Sequence, residues 1–446
     1  MKKLNSKSVS LVTKEPLSGI VKVSSDKSIS HRSLIIGSMA IGETSIDNLL
    51  ESEDTFRTIE ALRLLGVNIN KSNSGKWLIQ GVGTGGFSEP NNIINFGNSG
   101  TSARLIMGAV STCPISIMAT GDESLNKRPM KRIIEPLSFF GAQFLSRGEG
   151  FLPIRLKGAK EPTPINYKSM VPSAQIKSAI LLGALNSPGE TTFVEPIKSR
   201  DHSEKMLKDF GAKIVTKSTK NGNQIKILGN SDLKAKKIKI PGDPSSASFL
   251  IAAAILVEGS DIIIEDILQN PTRNGFVKTL IEMGAKISFL KEEKVSGESV
   301  VNLRIEHSKL KGITVPSERV VSMIDEFPIL SILASVAEGE THMSGLAELK
   351  VKESDRIGVM RKGLESCGVK VISGDDFLII EGKKKKEIYG DVLIETFFDH
   401  RIAMSFLCLS LISSTPILID DCSSIDTSFP NFFKLMKDLG AEEIFS

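Results

Sequence analysis

The 446-residue sequence predicts an α/β protein made of six copies of one βαβαββ repeat, three in each of two lobes. Three observations carry this. Six times an apolar, helix-like stretch stops at a glycine followed by a small apolar residue: LRLLGVNI at Gly66, LSFFGAQF at Gly141, LKDFGAKI at Gly211, LIEMGAKI at Gly284, LESCGVKV at Gly368 and LMKDLGAEEI at Gly440. Six times a polar turn opens a second helix pattern that is apolar on nearly all sides, and such helices are buried. After five of the six glycines the pattern turns strand-like.

Each element has a local cause. Glycine just past a helix enters the left-handed region without a Cβ clash, so the six glycines read as helix stops. The polar openings are SSDKSISHR, NSGTSARL, PSAQIKSA, DPSSASFL, DEFPILS and DHRIAMS. Several buried helices then run into a β-branched strand, as in GETSIDNL, GETTFVEP, GSDIIIEDI and GETHMSGL. After the glycines come paired strands. KIVTKSTKNGNQIKIL turns at Asn221-Gly222, and FLSRGEGFLPIRL and VKVISGDDFLII read as hairpins too.

The sixth repeat is short, with only AEEIFS after Gly440. The N-terminal SVSLVTKEPLSGIVKV leads into Ser24–Lys27 as FLPIRLKGAKEPTPINYKSMV leads into Pro172–Gln175, so the N-terminal strand is expected to complete the last repeat. Residues 1–22 with 241–446 are then lobe one, holding repeats four to six, and residues 23–240 are lobe two. The chain crosses near residues 20–23 and 238–242.

Bulk properties narrow the function. The length exceeds one ordinary core. With 56 basic against 52 acidic residues, no broad nucleic-acid-binding face is expected. Cys113, Cys367, Cys408 and Cys422 are scattered, as buried free thiols of a reducing compartment. MKKLNSKSVSLVTKEPL has no apolar signal region. The longest apolar run, Phe249–Val257, is about half a membrane span. A cytoplasmic protein without a membrane partner is expected. GVGTGG at Gly81–Gly86 matches a dinucleotide fingerprint but runs into FSEPNN rather than a helix. The five histidines are dispersed, so no metal site is expected. The run Lys383–Lys386 reads as a solvated loop.

The helix openings carry the chemistry. Helix N-termini present unpaired N–H groups and partial positive charge, which favour anions. Here they also carry Lys27, Ser28, His31, Arg32, Asn98, Arg104, Ser173, Gln175, Lys177, Asp325, Glu326, Asp399, His400 and Arg401. Ser28, Asn98, Ser173 and Ser245 also suit simple capping. A buried guanidinium at Arg32, Arg104 or Arg401 needs an anion, supplied by an internal carboxylate or a bound phosphate. GDESLNKRPMKR adds Lys127, Arg128 and Arg132, and LKVKESDRIGVMR adds Lys352, Glu353, Asp355, Arg356 and Arg361. Surface ion pairing is the plain alternative for Glu353 and Asp355. DPSSASFL is the plainest opening.

DKSISHR (Asp26–Arg32), GNSGTSARL (Gly97–Leu105), GDESLNKRPM (Gly121–Met130), PSAQIKSA (Pro172–Ala179), RDHSEKML (Arg200–Leu207), KESDRI (Lys352–Ile357) and FFDHRIAMS (Phe397–Ser405) resemble, in order and over essentially the whole chain, the 5-enolpyruvylshikimate-3-phosphate synthase family. The resemblance implies two inside-out α/β barrels of three repeats each. It also implies transfer of the enolpyruvyl group of phosphoenolpyruvate to the 5-hydroxyl of shikimate 3-phosphate, with release of phosphate and no cofactor.

By matching motifs, Lys27, Ser28, Arg32, Ser173, Ala174, Gln175, Arg200, Asp325 and Lys352 are expected at shikimate 3-phosphate. Lys27, Gly100, Arg128, Gln175, Arg356 and Arg401 are expected at phosphoenolpyruvate. Asp325, Glu353 and Lys27 are the expected acid–base groups. The partners are then these two small molecules, and a monomer is expected.

Two departures stand out. Many members have a lysine shortly before the late TFP or SFP motif, where Asp426-Thr427-Ser428-Phe429-Pro430 has none. KRPM, RDHSEKML and TSFP resemble a microbial subgroup associated with glyphosate tolerance, yet some tolerant members carry alanine where Gly100 stands. The rival readings are the sister transferase acting on UDP-N-acetylglucosamine, which typically uses a cysteine, for which Cys113 is the nearest candidate, and a non-enzymatic repeat scaffold.

Overall fold

The structure is a computed structural model and describes residues 8–220, 222–383 and 387–445. Asn221 of the expected hairpin turn and Lys384–Lys386 of the expected loop lie outside these residues. The chain forms two compact units. Lobe one comprises the described residues of Met1–Ser24, Pro241–Lys294 and Glu298–Ser446; lobe two comprises Ser25–Ile240 with Val295–Gly297.

All six stop glycines have left-handed backbones, with φ between 78° and 108°. Each follows a helix: Glu53–Leu64, Lys131–Ser138, His202–Asp209, Gly275–Glu282, Arg356–Ser366 and Phe432–Asp438. A Cβ in that conformation is strained, so the repeated glycine is a backbone requirement.

Six sheets share one strand order. In repeat three, Asn166–Lys168 runs parallel to Glu190–Glu195. Gly222–Leu228 then pairs antiparallel with Glu190–Glu195, and Lys213–Thr219 closes the edge. The strand preceding the buried helix thus lies beside the strand following it, and the hairpin adds on in reverse. The same strand order recurs in the other sheets, with the first strands of repeats one and four exchanged.

The N-terminal segment serves two repeats. Val9–Val12 pairs with Glu442–Phe445 and with Leu418–Ile419, filling the hairpin position of repeat six. Ser18–Lys22 does not join repeat one, whose helix it precedes. It runs parallel to Asp261–Leu268 in repeat four. The corresponding place in repeat one is taken by Leu233–Lys234 and Lys237–Lys239, both parallel to Ala40–Asp47. The exchange leaves each lobe's first sheet with its edge covered, so that no row of N–H and C=O groups is left unpaired there.

The buried helices fill the lobes and the sheets lie outside them. In lobe two, Gly100–Val110 packs against Lys27–Ser38 and Ala174–Ala184. In lobe one, Pro244–Leu256, Phe327–Ala334 and His400–Ser410 pack on one another. This is the inside-out α/β arrangement. Each Leu, Ile or Phe buried there contributes about 1.5–3 kcal/mol. A Cβ on Gly108 would stand 2.5 Å from the Ala179 backbone. That close approach draws Gly100–Val110 against Ala174–Ala184, and so brings Arg104 to Gln175.

Candidate functional site

The helix openings carry two polar clusters, one in each lobe. In lobe two, Asp26 caps Lys27–Ser38 by accepting from Ile29 N at 2.7 Å. Ser99 and Ser173 cap the other two buried helices through Ser102 N and Ile176 N. Of the serines and asparagine suited to capping, Ser173 does so, whereas Ser28 and Asn98 do not cap these helices. In lobe one Asp243, not Ser245, caps Pro244–Leu256.

Ser28 and its neighbours gather at the first opening. Lys27 Nζ lies 3.1 Å from Asp54 Oδ2. Buried Arg32 donates through Nε to Ser203 Oγ at 2.8 Å, through Nη2 to Ser178 Oγ at 2.7 Å and through Nη1 to the Ser28 carbonyl at 2.9 Å. These partners are neutral hydroxyls and a carbonyl, which orient a guanidinium without cancelling its charge. Arg200 Nη1 reaches Ser28 Oγ at 3.5 Å.

Gln175 ties the second and third openings together. Its Oε1 accepts from Arg104 Nη1 at 2.9 Å, and its Nε2 donates to Thr101 Oγ1 at 3.1 Å. Arg128 donates to the Asn98 side chain and to Ser124 Oγ. Gly100 sits among these cations: a Cβ there would stand 2.6 Å from Arg104 Nη1 and 3.5 Å from Arg128 Nη1. Lys27, Ser28, Ser173, Ala174, Gln175 and Arg200 are partly exposed, while Arg32, Arg104 and Arg128 are buried behind them. The cluster gathers helix N-termini and cations in one place, a setting that can hold anionic groups.

Lobe one collects acid–base groups. Asp325 Oδ1 lies 3.4 Å from Lys352 Nζ and 3.6 Å from Arg356 Nη1. Arg401 Nη1 donates to the Asp325 carbonyl at 3.2 Å. Arg356, 1% exposed, also meets Glu353 at 2.6 Å and Asp399 at 2.8 Å. Burial opposes its charge, but Asp399, Glu353 and Asp325 outweigh burial and raise the guanidinium above its ordinary pKa. Glu353 is therefore no surface pair. Asp355 caps Arg356–Ser366 through Gly358 N.

Several partners were not legible as site residues. Asp54, Ser178 and Ser203 come from other elements than the groups they hold. Arg273 reaches Asp243 and Ser245, both at 2.9 Å, and Ser245 donates to Glu326, so the opening that reads plainest carries a buried polar network. Lys127 pairs with exposed Glu123, and Arg361 with exposed Glu365. Cys113 is buried and its thiol is pushed up to about 12 by burial. GVGTGG ends the strand Trp77–Val82 and opens no helix.

Residues 11–436 match the family model described as EPSP synthase (3-phosphoshikimate 1-carboxyvinyltransferase). The chain is 50% identical over 430 residues to a 3-phosphoshikimate 1-carboxyvinyltransferase of Ruegeria sp. (strain TM1040), covering 96% of each chain. It is 51% identical over 428 residues to one from Chelativorans sp. (strain BNC1), covering 96% of this chain and 95% of that one. A solved EPSP synthase from Acinetobacter baumannii superposes with a TM-score of 0.86 at 40% identity, over 98% of this chain and 100% of the other. The enolpyruvyl transferase NikO from Streptomyces tendae shares the fold, with a TM-score of 0.76 at 16% identity over 98% of each chain.

Proposed function

We propose roles for the residues of the two clusters from the premise that this chain belongs to the EPSP synthase family. It transfers the enolpyruvyl group of phosphoenolpyruvate to the 5-hydroxyl of shikimate 3-phosphate and releases phosphate, a step of the shikimate pathway. In this reading Lys27, Ser28, Arg32, Ser173, Ala174, Gln175 and Arg200 bind shikimate 3-phosphate, helped by Asp325 and Lys352. Lys27, Gly100, Arg128, Gln175, Arg356 and Arg401 bind phosphoenolpyruvate.

The reaction is addition followed by elimination. Asp325 takes the proton of the 5-hydroxyl as its oxygen bonds to C2 of phosphoenolpyruvate, and C3 gains a proton. The C2–O bond to phosphate then breaks as C3 loses a proton. Glu353 and Lys27 deliver and remove the C3 protons. The arginines stabilise charge on the tetrahedral intermediate and on departing phosphate. The observation that carries the assignment is the setting of Asp325. Its carboxylate stands beside two cations while Glu353 waits on the same guanidinium, so a base and a proton carrier share one charge-balanced cluster.

A coupled phosphate-release assay tests the reading. Release is expected with shikimate 3-phosphate plus phosphoenolpyruvate, and none with UDP-N-acetylglucosamine in its place. The reading extends to a monomeric, cytoplasmic enzyme, and sedimentation at several concentrations checks the monomer. No helix among the described residues is long and apolar enough to cross a membrane.

A further inference from the structure

Behind the shikimate 3-phosphate residues lies a buried charged cluster that the reaction does not use. Lys177 is fully buried, two residues past Gln175. Its Nζ donates to Glu195 Oε1 at 2.9 Å and to the Ser199 carbonyl at 3.2 Å, and meets Glu204 Oε1 as an ion contact at 2.8 Å. Glu195 also accepts from Ser199 N at 3.1 Å, Ser199 Oγ at 2.6 Å and Asn223 Nδ2 at 3.1 Å. One ammonium thus joins the helix Ala174–Ala184, the strand Glu190–Glu195, the loop after it and the helix His202–Asp209.

Three members of this cluster have sequence neighbours that address the expected ligand set. Ser178, next to Lys177, and Ser203, next to Glu204, are 2.6 Å apart, and both hold the Arg32 guanidinium. Arg200 follows Ser199 and points to Ser28. A buried ion cluster contributes little net stability over an apolar core of the same shape. It does fix geometry, because Glu195 is held at once by Lys177, Ser199 and Asn223. Burial pushes the Glu204 carboxyl up, against the opposing pull of Lys177, so this geometry is maintained at an electrostatic cost.

We propose that Lys177, Glu195 and Glu204 are positioning residues, which set Arg32 through the Ser178–Ser203 hydroxyl pair and set Arg200 through Ser199. The proposal rests on the reading of Arg32, Arg200 and Ser28 as shikimate 3-phosphate ligands. All three cluster residues are buried and none is among the expected substrate ligands.

Ser199→Ala, Glu195→Gln and Arg32→Ala in the full chain test it. The readouts are shikimate 3-phosphate affinity by calorimetry, KM for each substrate, and thermal melting. Ser199→Ala and Glu195→Gln are expected to weaken shikimate 3-phosphate about tenfold, since small misplacements of binding groups are costly. KM for phosphoenolpyruvate should stay within about twofold at saturating shikimate 3-phosphate. A merely structural cluster would lower melting and leave the ratio of the two KM values alone, and that result overturns the proposal. If Glu195→Gln does not fold, Ser199→Ala, which removes one hydroxyl, decides alone. If Arg32→Ala leaves shikimate 3-phosphate affinity unchanged, the ligand reading itself fails. If Arg32→Ala weakens it and the other two do not, only the positioning claim fails.

Discussion

Arg356 and Asp399 form a two-point pair inside lobe one: Nε to Oδ2 at 2.8 Å and Nη2 to Oδ1 at 3.2 Å. The same carboxylate caps the helix His400–Ser410 by accepting from Arg401 N at 3.0 Å. One aspartate therefore orients both lobe-one arginines expected at phosphoenolpyruvate, Arg356 through its side chain and Arg401 through its backbone. The Arg356 Nη1 group has no hydrogen bond and lies 3.6 Å from Asp325. In the proposed reading it is the donor left over for a phosphate oxygen of phosphoenolpyruvate.

Asp399→Ala should be among the most damaging substitutions in lobe one. Breaking a buried ion pair by removing one partner costs roughly 3–5 kcal/mol, and losing a cap costs about 1 kcal/mol more. Glu353 and Asp325 remain beside Arg356 and soften the first term. A loss of about 3 kcal/mol in denaturant unfolding is expected, and a loss below about 1 kcal/mol would show that the pair is dispensable.

Gly100→Ala should separate the two substrates. The residue opens a helix and its φ is not left-handed, so backbone strain is not the issue. The added Cβ meets Arg104 Nη1 at 2.6 Å, the mobile end of a long side chain, which must shift away from Gln175. At an overpacking cost of about 1–3 kcal/mol, KM for phosphoenolpyruvate should rise about tenfold while that for shikimate 3-phosphate, which also relies on Gln175, rises less. Equal rises in both would contradict the placement of phosphoenolpyruvate at Gly100.

What was legible in the sequence follows from how local each signal is. The six stop glycines, the buried helices and the hairpins depend on neighbours a few residues away, and periodicity exposes them. The exchange of Ser18–Lys22 and Leu233–Lys239 between repeats depends on which sheet edge needs covering, and local pattern carries no such information. The cations at the openings were readable by type. Their partners were not: Arg32 is held by Ser178 and Ser203 from other repeats' elements, and Arg273 looks like an ordinary loop arginine until it meets Asp243.

Thiol modification should leave turnover intact. Burial pushes Cys113, Cys367 and Cys422 up to about 12, and Cys408 also rises on burial. Thiolates are the reactive form, so these groups are inert near neutral pH. Iodoacetamide at pH 7 followed by the phosphate-release assay checks this. Inactivation protected by phosphoenolpyruvate would favour a cysteine-using transferase.

His31 should make stability depend on pH. Burial, then Lys27 and Arg32, holds its pKa well below the ordinary value, and its Nδ1 sits 2.8 Å from Thr58 Oγ1. The unfolded chain therefore binds a proton that the folded chain refuses. The folded state keeps its full advantage above about pH 6.5 and loses it as pH falls, by up to about 1.4 kcal/mol per unit. Melting scans from pH 8 to 5 should show the decline, with a shallower slope in His31→Gln. Parallel slopes would remove His31 from the explanation.

Asp325→Ala and Glu353→Gln should separate the hydroxyl proton transfer from those at C3. Losing a positioned base typically costs about 10²–10⁴ in rate, so Asp325→Ala should lose that much turnover. It removes a carboxylate lying 3.4 Å from Lys352 and 3.6 Å from Arg356, so binding must be measured beside rate. Glu353→Gln keeps the shape of a group 2.6 Å from Arg356 Nη2 but ends its capacity to deliver a proton. Its expected signature is slowed solvent-deuterium incorporation at C3 of phosphoenolpyruvate, because that atom gains and then loses a proton in each turnover. Normal incorporation with impaired phosphate release would move the C3 proton role from Glu353 to Lys27, whose ammonium Asp54 holds at 3.1 Å.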